Sequence, residues 1–159
     1  MPTTGLDVFD KTLQTTNLLL KDLEERMDWV GHRHLSYAAL RAVLHTLRDR
    51  LTVEEAAEFA AQLPMLVKGI YYDGWEPASV PKKFDASDFA AEVRRRLAFE
   101  VEGGTLALTG QVLKSLTRHV SAGELDDVLS LFPKKLATSL RQASDHASPA
   151  QAGSTGRSR

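Results

Sequence analysis

Four basic side chains on one predicted helix offer the clearest starting point for chemistry. At about 100° per residue, His34, Arg41, His45 and Arg48 fall in one narrow sector of a helix. That sector lies more than a quarter-turn from the apolar stripe formed by Leu40, Leu44, Leu47 and Leu51. A basic, histidine-bearing face suits an anionic partner, whether phosphate or an acidic protein surface. Without one it is a plain solvated face, the commoner fate of charge on a helix. His45 between Arg41 and Arg48 has some of what phosphoryl transfer onto imidazole requires, a nitrogen beside positive charge. The surrounding His45-Thr46-Leu47-Arg48-Asp49 does not match the pattern of phosphorelay transfer domains.

A second group is aromatic. Tyr71, Tyr72 and Trp75 lie within Tyr71-Tyr72-Asp73-Gly74-Trp75, where they could anchor a partner. They could equally plug the junction between two halves of the molecule, with their polar tips satisfied at its rim; the plug is the favoured expectation.

Metal ligation finds less support. His32 and His34 flank Arg33 with Asp28 just before, yet neither His-x-x-x-His nor Glu-x-x-His spacing occurs, and His119 and His146 have no sequence partners. The acid pairs Glu54-Glu55 and Asp126-Asp127 point about 100° apart and suit helix N-termini better than a catalytic dyad. No nucleophile elbow, phosphate loop or dinucleotide fingerprint is present. The expectation is therefore no catalytic residue, no metal and no cofactor. Arg94-Arg95-Arg96 is the densest basic cluster, but consecutive residues fan around a helix, and the formal net charge is −1, so nucleic acid is an unfavoured partner.

The elements that must position these residues read as helices. Leu6, Phe9, Leu13, Thr16, Leu20, Leu23 and Met27 step by threes and fours and predict a core-facing stripe over about 6–27. A second helix over about 34–50 carries Leu40, Val43, Leu44, Leu47 and Leu51. Thr52-Val53-Glu54-Glu55 is a capping box for a third, and Pro64 then bends or breaks the chain before a short fourth. After the loop around Gly74 and Pro77, Asp85 or Ser87 caps a helix carrying Phe89, Val93 and Leu97. Further helices carry Leu106, Leu113, Leu116 and Val120, then Leu125, Val128, Leu129 and Phe132, then Leu136 and Leu140, with a second capping box at Ser121 and a breaking proline at Pro133.

The chain repeats itself. At an offset of 69 residues, Val43-Leu44 meets Val112-Leu113, Leu47 meets Leu116, Thr52 meets Ser121, Glu55 meets Glu124, and Pro64 meets Pro133. Stripe, cap and breaker recur in register. The fold expected is all-α: a compact helical bundle from two tandem repeats of a three-to-four-helix unit related by pseudo-twofold symmetry, since two repeats are too few for an open array. The repeats span 6–75 and 85–143, with a linker at 76–84 and a disordered tail at 144–159, where Ser, Ala, Gly, Pro and Gln offer too little apolar surface to offset ordering.

The 159 residues are 43% hydrophobic and 7% aromatic, enough for a core without staples, and contain no cysteine, which removes disulfides and thiol chemistry. No apolar run approaches the roughly 20 residues of a membrane span, and the first residues lack a signal-peptide layout, so a cytoplasmic location is expected.

Tyr37 to Leu51, Glu54-Glu55-Ala56-Ala57, Gln62-Leu63-Pro64-Met65-Leu66 and Gly69-Ile70-Tyr71-Tyr72-Asp73-Gly74-Trp75 together resemble the prokaryotic family catalogued as domain of unknown function 2267, over roughly Phe9 to Leu140. The resemblance implies an all-helical fold and supplies no functional residues to carry over. The second half lacks any counterpart of Tyr71–Trp75. The function expected is a non-enzymatic module that binds another protein or itself, as a homodimer for example; the alternative is a small-molecule or metal-binding protein with its site between the repeats.

Overall fold

Helix α1 (Asp7–Met27) ends where Asp28 turns left-handed, at φ 58°, and its amide closes back on the Glu24 carbonyl. The computed structural model describes residues 4–83, 85–120 and 124–147. Seven further α-helices follow among them: α2 (Arg33–Arg50), α3 (Val53–Ala60), α4 (Met65–Tyr72), α5 (Ala86–Arg96), α6 (Thr105–His119), α7 (Glu124–Leu129) and α8 (Lys134–Asp145). A single 3₁₀ turn, Pro77–Ser79, stands between α4 and α5, and no strand occurs among the described residues.

Local chemistry fixes the helix starts. The Glu55 amide donates to Thr52 Oγ1 at 3.2 Å while the Thr52 amide donates to Glu55 Oε1 at 3.0 Å, the reciprocal box that the sequence predicts for α3. Asp85 and Asp88 do the same for α5, at 2.9 and 3.3 Å. The box expected at Ser121 lies outside the described residues. Pro64 and Pro133 immediately precede α4 and α8. Each opens a new helix, where a missing donor costs least, and does not bend an old one.

Helix α2 is central, packed against α1, α4, α5 and α6, while α6 adds contacts to α7 and α8. The core runs continuously from Leu19 and Leu23 through Leu40, Leu44 and Leu47 to Phe89, Val93, Leu113 and Leu140. Where α6 crosses α8 the backbones nearly touch. A methyl group on Gly110 would lie 2.1 Å from the Ala143 carbonyl oxygen, so this crossing demands a residue without a side chain.

Three expectations need correction. Leu6, Phe9 and Leu13 belong to the α1 stripe but are exposed, whereas Leu20 and Leu23 are buried. The Leu66 amide at the start of α4 donates to Thr12 Oγ1 at 2.9 Å, and toward the N-terminus from there the stripe faces outward. Second, α2 is buried almost all round from Ala39 to Asp49, not on one face alone. Its Ser36, Ala39, Ala42 and Thr46 are small, and small side chains let neighbouring helices close in on more than one side. Third, α8 continues through Ser144 and Asp145, and Ser144 is buried, so the expected tail begins too early.

Candidate functional site

Helix α4 is eight residues long, and its last carbonyls have no partners within the helix. Helix α2 supplies them. His45 Nε2 lies 2.7 Å from the Ile70 carbonyl oxygen. Arg48 Nη1 donates to the Tyr71 and Asp73 carbonyls at 2.9 and 3.0 Å. A cation at a helix C-terminus also meets the negative end of the macrodipole. The C-terminal part of the basic sector of α2 is thus turned inward: His45 is 6% exposed and Arg48 3%. Neither forms a solvated face, and neither presents itself to a partner as the helical wheel suggested.

Behind Arg48 sits a carboxylate shared by two cations. Asp49 Oδ1 accepts from Arg48 Nε at 2.9 Å, and its Oδ2 accepts from Arg96 Nη2 at 2.7 Å. Burial pushes the Asp49 carboxyl up, but the hydrogen bonds from Arg48 and Arg96 and their charges outweigh it and hold the group below the usual carboxylate range. His45 goes down to about 4: burial is the main cause, the bond to Ile70 opposes it, and Arg48, Arg41 and Arg96 add to it.

Arg41 lies at the edge of this cluster, half-buried and paired with the exposed Asp73. Tyr37, Ala38, Arg41, Ala42 and His45 of α2 face Arg96 of α5 across a cleft of about 330 Å³. His34 is exposed, its ring 5.9 Å from that of His32. No group of three or more His, Cys, Asp or Glu placed to hold a metal ion occurs among the described residues.

Of the aromatic group, Tyr71 is fully buried. Its hydroxyl donates to the Ala56 carbonyl at 2.9 Å, and its ring meets Phe59 edge-on at 5.3 Å. It therefore packs α4 against α3 and is no surface anchor. Tyr72 and Trp75 are half-buried, with ring centroids 5.3 Å apart.

A second polar cluster ties α1 to α6. Asp22 Oδ2 accepts from Arg26 Nε and from Ser115 Oγ, both at 2.8 Å. Arg118 and His119 approach the same carboxylate at 3.6 and 3.4 Å. Burial raises Asp22, but the bonds from Arg26 and Ser115 prevail and lower it overall.

Reading the sequence for sites missed Asp22, Asp49 and Ser115, and took Arg96 only as part of a basic run. Heptad spacing was the available signal: Arg96 follows Phe89 by two helical turns, Asp49 follows Ala42, and Ser115 follows Leu108, each inheriting a core-facing position. The Arg94–Arg96 run does fan out as expected, with Arg94 and Arg95 exposed and Arg96 half-buried against Asp49.

The exposed apolar residues of α1 form a further surface. Leu6, Val8, Phe9 and Leu13 are 41–52% exposed, and Met65 and Leu66 at the start of α4 are exposed close by. No helix among the described residues is long and apolar enough to cross a membrane.

No curated protein matches this chain. Residues 16–138, from the middle of α1 into α8, match the family described as uncharacterized conserved protein (DUF2267). The match is somewhat shorter at both ends than the resemblance in the sequence suggested, yet it takes in well over half the chain and all of α2 to α7, and the chain belongs to that family.

Proposed function

We propose that the chain is a non-enzymatic helical module that docks an apolar surface of another protein, a second copy of itself being the simplest occupant. The observation that carries this is the outward half of α1, where Leu6, Phe9 and Leu13 continue the core stripe into solvent. Grouped apolar side chains of this kind mark interaction sites more often than scattered ones do. Asp7 and Asp10 open the helix and Lys21 follows about three to four turns on, a charge order that suits antiparallel pairing of two such helices. The α1 part of this surface precedes the residues matched to the family.

Sedimentation of wild type and of the Phe9→Ser, Leu13→Ser double variant tests it. Both sites are exposed, so folding stability should shift by less than about 1 kcal/mol in total. The wild type is expected to associate at about 100 μM and the variant to stay monomeric. A wild type that remains a monomer rules out self-docking, and equal association of the two proteins removes α1 as the surface.

We also infer that the chain is an internal duplication, with halves at 6–75 and 85–143 joined by 76–84 and arranged about a pseudo-twofold axis. Helix boundaries support it. α1 and α5 end at Met27 and Arg96, α2 and α6 at Arg50 and His119, and α3 and α7 at Ala60 and Leu129, while α4 and α8 begin at Met65 and Lys134; each pair is separated by the same 69 residues. A second functional reading, a small-molecule site between the halves, is favoured by the cleft that brings Tyr37, Arg41 and His45 of α2 to Arg96 of α5.

A further inference from the structure

The arginines around the α2–α5 cleft outnumber the carboxylates that serve them. Arg41, Arg48 and Arg96 are met by Asp73 and by the single carboxylate of Asp49, which is divided between Arg48 and Arg96. Glu92 stands farther from Arg96, at 3.6 Å, and is closer to Arg95, at 2.7 Å. Counting Arg95 and Glu92, four guanidinium groups share three carboxylates, which leaves one positive charge over beside a partly enclosed space, where charge is costly without a counter-ion. Arg96 has a second unmet demand: its Nε is buried and has no hydrogen-bond partner among the described residues.

His45 adds a selective element. In the neutral ring, Nε2 carries the proton and donates to the Ile70 carbonyl, which leaves Nδ1 as a bare acceptor. Burial, and after it the three nearby arginines, disfavour a second proton on the ring. A ligand that brings only lone pairs to this nitrogen is repelled; one that brings an O–H is held.

We propose that the cleft between α2 and α5 binds a small oxyanion carrying its own hydroxyl group, with Arg41 and Arg96 taking the charge and His45 Nδ1 accepting from the hydroxyl. Hydrogenphosphate and a hydroxycarboxylate share this chemistry, and about 330 Å³ accommodates either head group. The proposal rests on the reading of a small-molecule site between the halves.

Matched pairs of probes test it, by calorimetric titration of the full chain at pH 7.5 and constant ionic strength. Phosphate is compared with sulfate, which has the same shape and no proton at that pH, and malate with succinate, which lacks the hydroxyl. In at least one pair the hydroxyl-bearing member is expected to bind ten-fold tighter or more. Which pair separates identifies the source. Arg41→Gln, at the half-buried rim, should weaken that probe at least ten-fold while leaving the melting temperature of the free protein within a few degrees. Saturable binding that is equal within both pairs overturns the role of His45 and leaves an anion site. No binding of any of the four probes, or binding unchanged by Arg41→Gln, overturns the cleft site altogether.

Discussion

Asp49 Oδ2 on α2 accepts from Arg96 Nη2 on α5 at 2.7 Å, across 47 residues of chain, while its other oxygen holds Arg48. One carboxylate thus joins the helix that caps α4 to the first helix beyond the Pro77–Ser79 turn. Asp49→Asn would leave two guanidinium groups facing a neutral amide in a buried site. A loss of about 3–5 kcal/mol is expected, the usual cost of stranding one side of a buried pair. Urea unfolding measures it, and a loss below about 1 kcal/mol would show that solvent already screens the pair.

His45 sets a pH window. The folded ring titrates at about 4 and the unfolded ring near 6.5, so between those values the unfolded chain binds more protons. Stability from the neutral ring is complete above about pH 6.5 and falls as pH drops toward 4, by roughly 3 kcal/mol in all. Asp22 and Asp49 are held below their ordinary range, so their contributions persist through this window and are lost only at lower pH. His45→Gln, whose amide still reaches toward the Ile70 carbonyl, should be less stable at pH 7 but show a flatter profile from 6.5 to 4. Parallel profiles for the two proteins would refute the assignment.

The two helical glycines should respond in opposite directions. Gly110→Ala drives a methyl into the Ala143 carbonyl and should cost about 1–3 kcal/mol or more. Gly69→Ala in α4 meets nothing within 4 Å and should gain about 0.5–1 kcal/mol from helix propensity and a less mobile unfolded chain. Paired thermal melts decide; a Gly110→Ala protein as stable as the wild type would contradict the α6–α8 crossing, and a destabilised Gly69→Ala protein would contradict the open surroundings of Gly69.

Tyr71→Phe keeps the ring against Phe59 and deletes only the bond to the Ala56 carbonyl. A loss of about 1 kcal/mol is expected, since the abandoned carbonyl lies within α3. Tyr71→Ala should cost about 3–5 kcal/mol, as for other large buried aromatics. A truncation that proves nearly neutral would place the ring at the surface.

The helices were legible because their punctuation is chemical. Thr52 with Glu55, Pro64, Pro133 and the Asp85 cap each act within four residues, so sequence alone locates them. The burial of α2 was not legible in the same way. A helical wheel ranks residues by hydropathy, and His45, Arg48 and Asp49 rank as solvent-facing. What buries them is the unmet carbonyl set at the end of α4 and one arginine of the three that close α5, partners more than twenty residues away. Conversely, Phe9 and Leu13 obey the period of the core and still lie in solvent, because periodicity tells which way a side chain points but not whether anything covers it.

The position of α2 bears on the covalent continuity of the chain. Its surroundings come from both sides of the Pro77–Ser79 turn: α1 and α4 before it, α5 and α6 after it. Severed at that turn, the earlier fragment would carry Asp49 without Arg96, and the later one would carry α5 and α6 without the α1 and α2 faces that pack against them. Neither piece holds a complete interior, yet each holds what the other lacks. The peptide link there acts mainly as a tether that raises local concentration, and the two fragments mixed together should reconstitute the bundle without it.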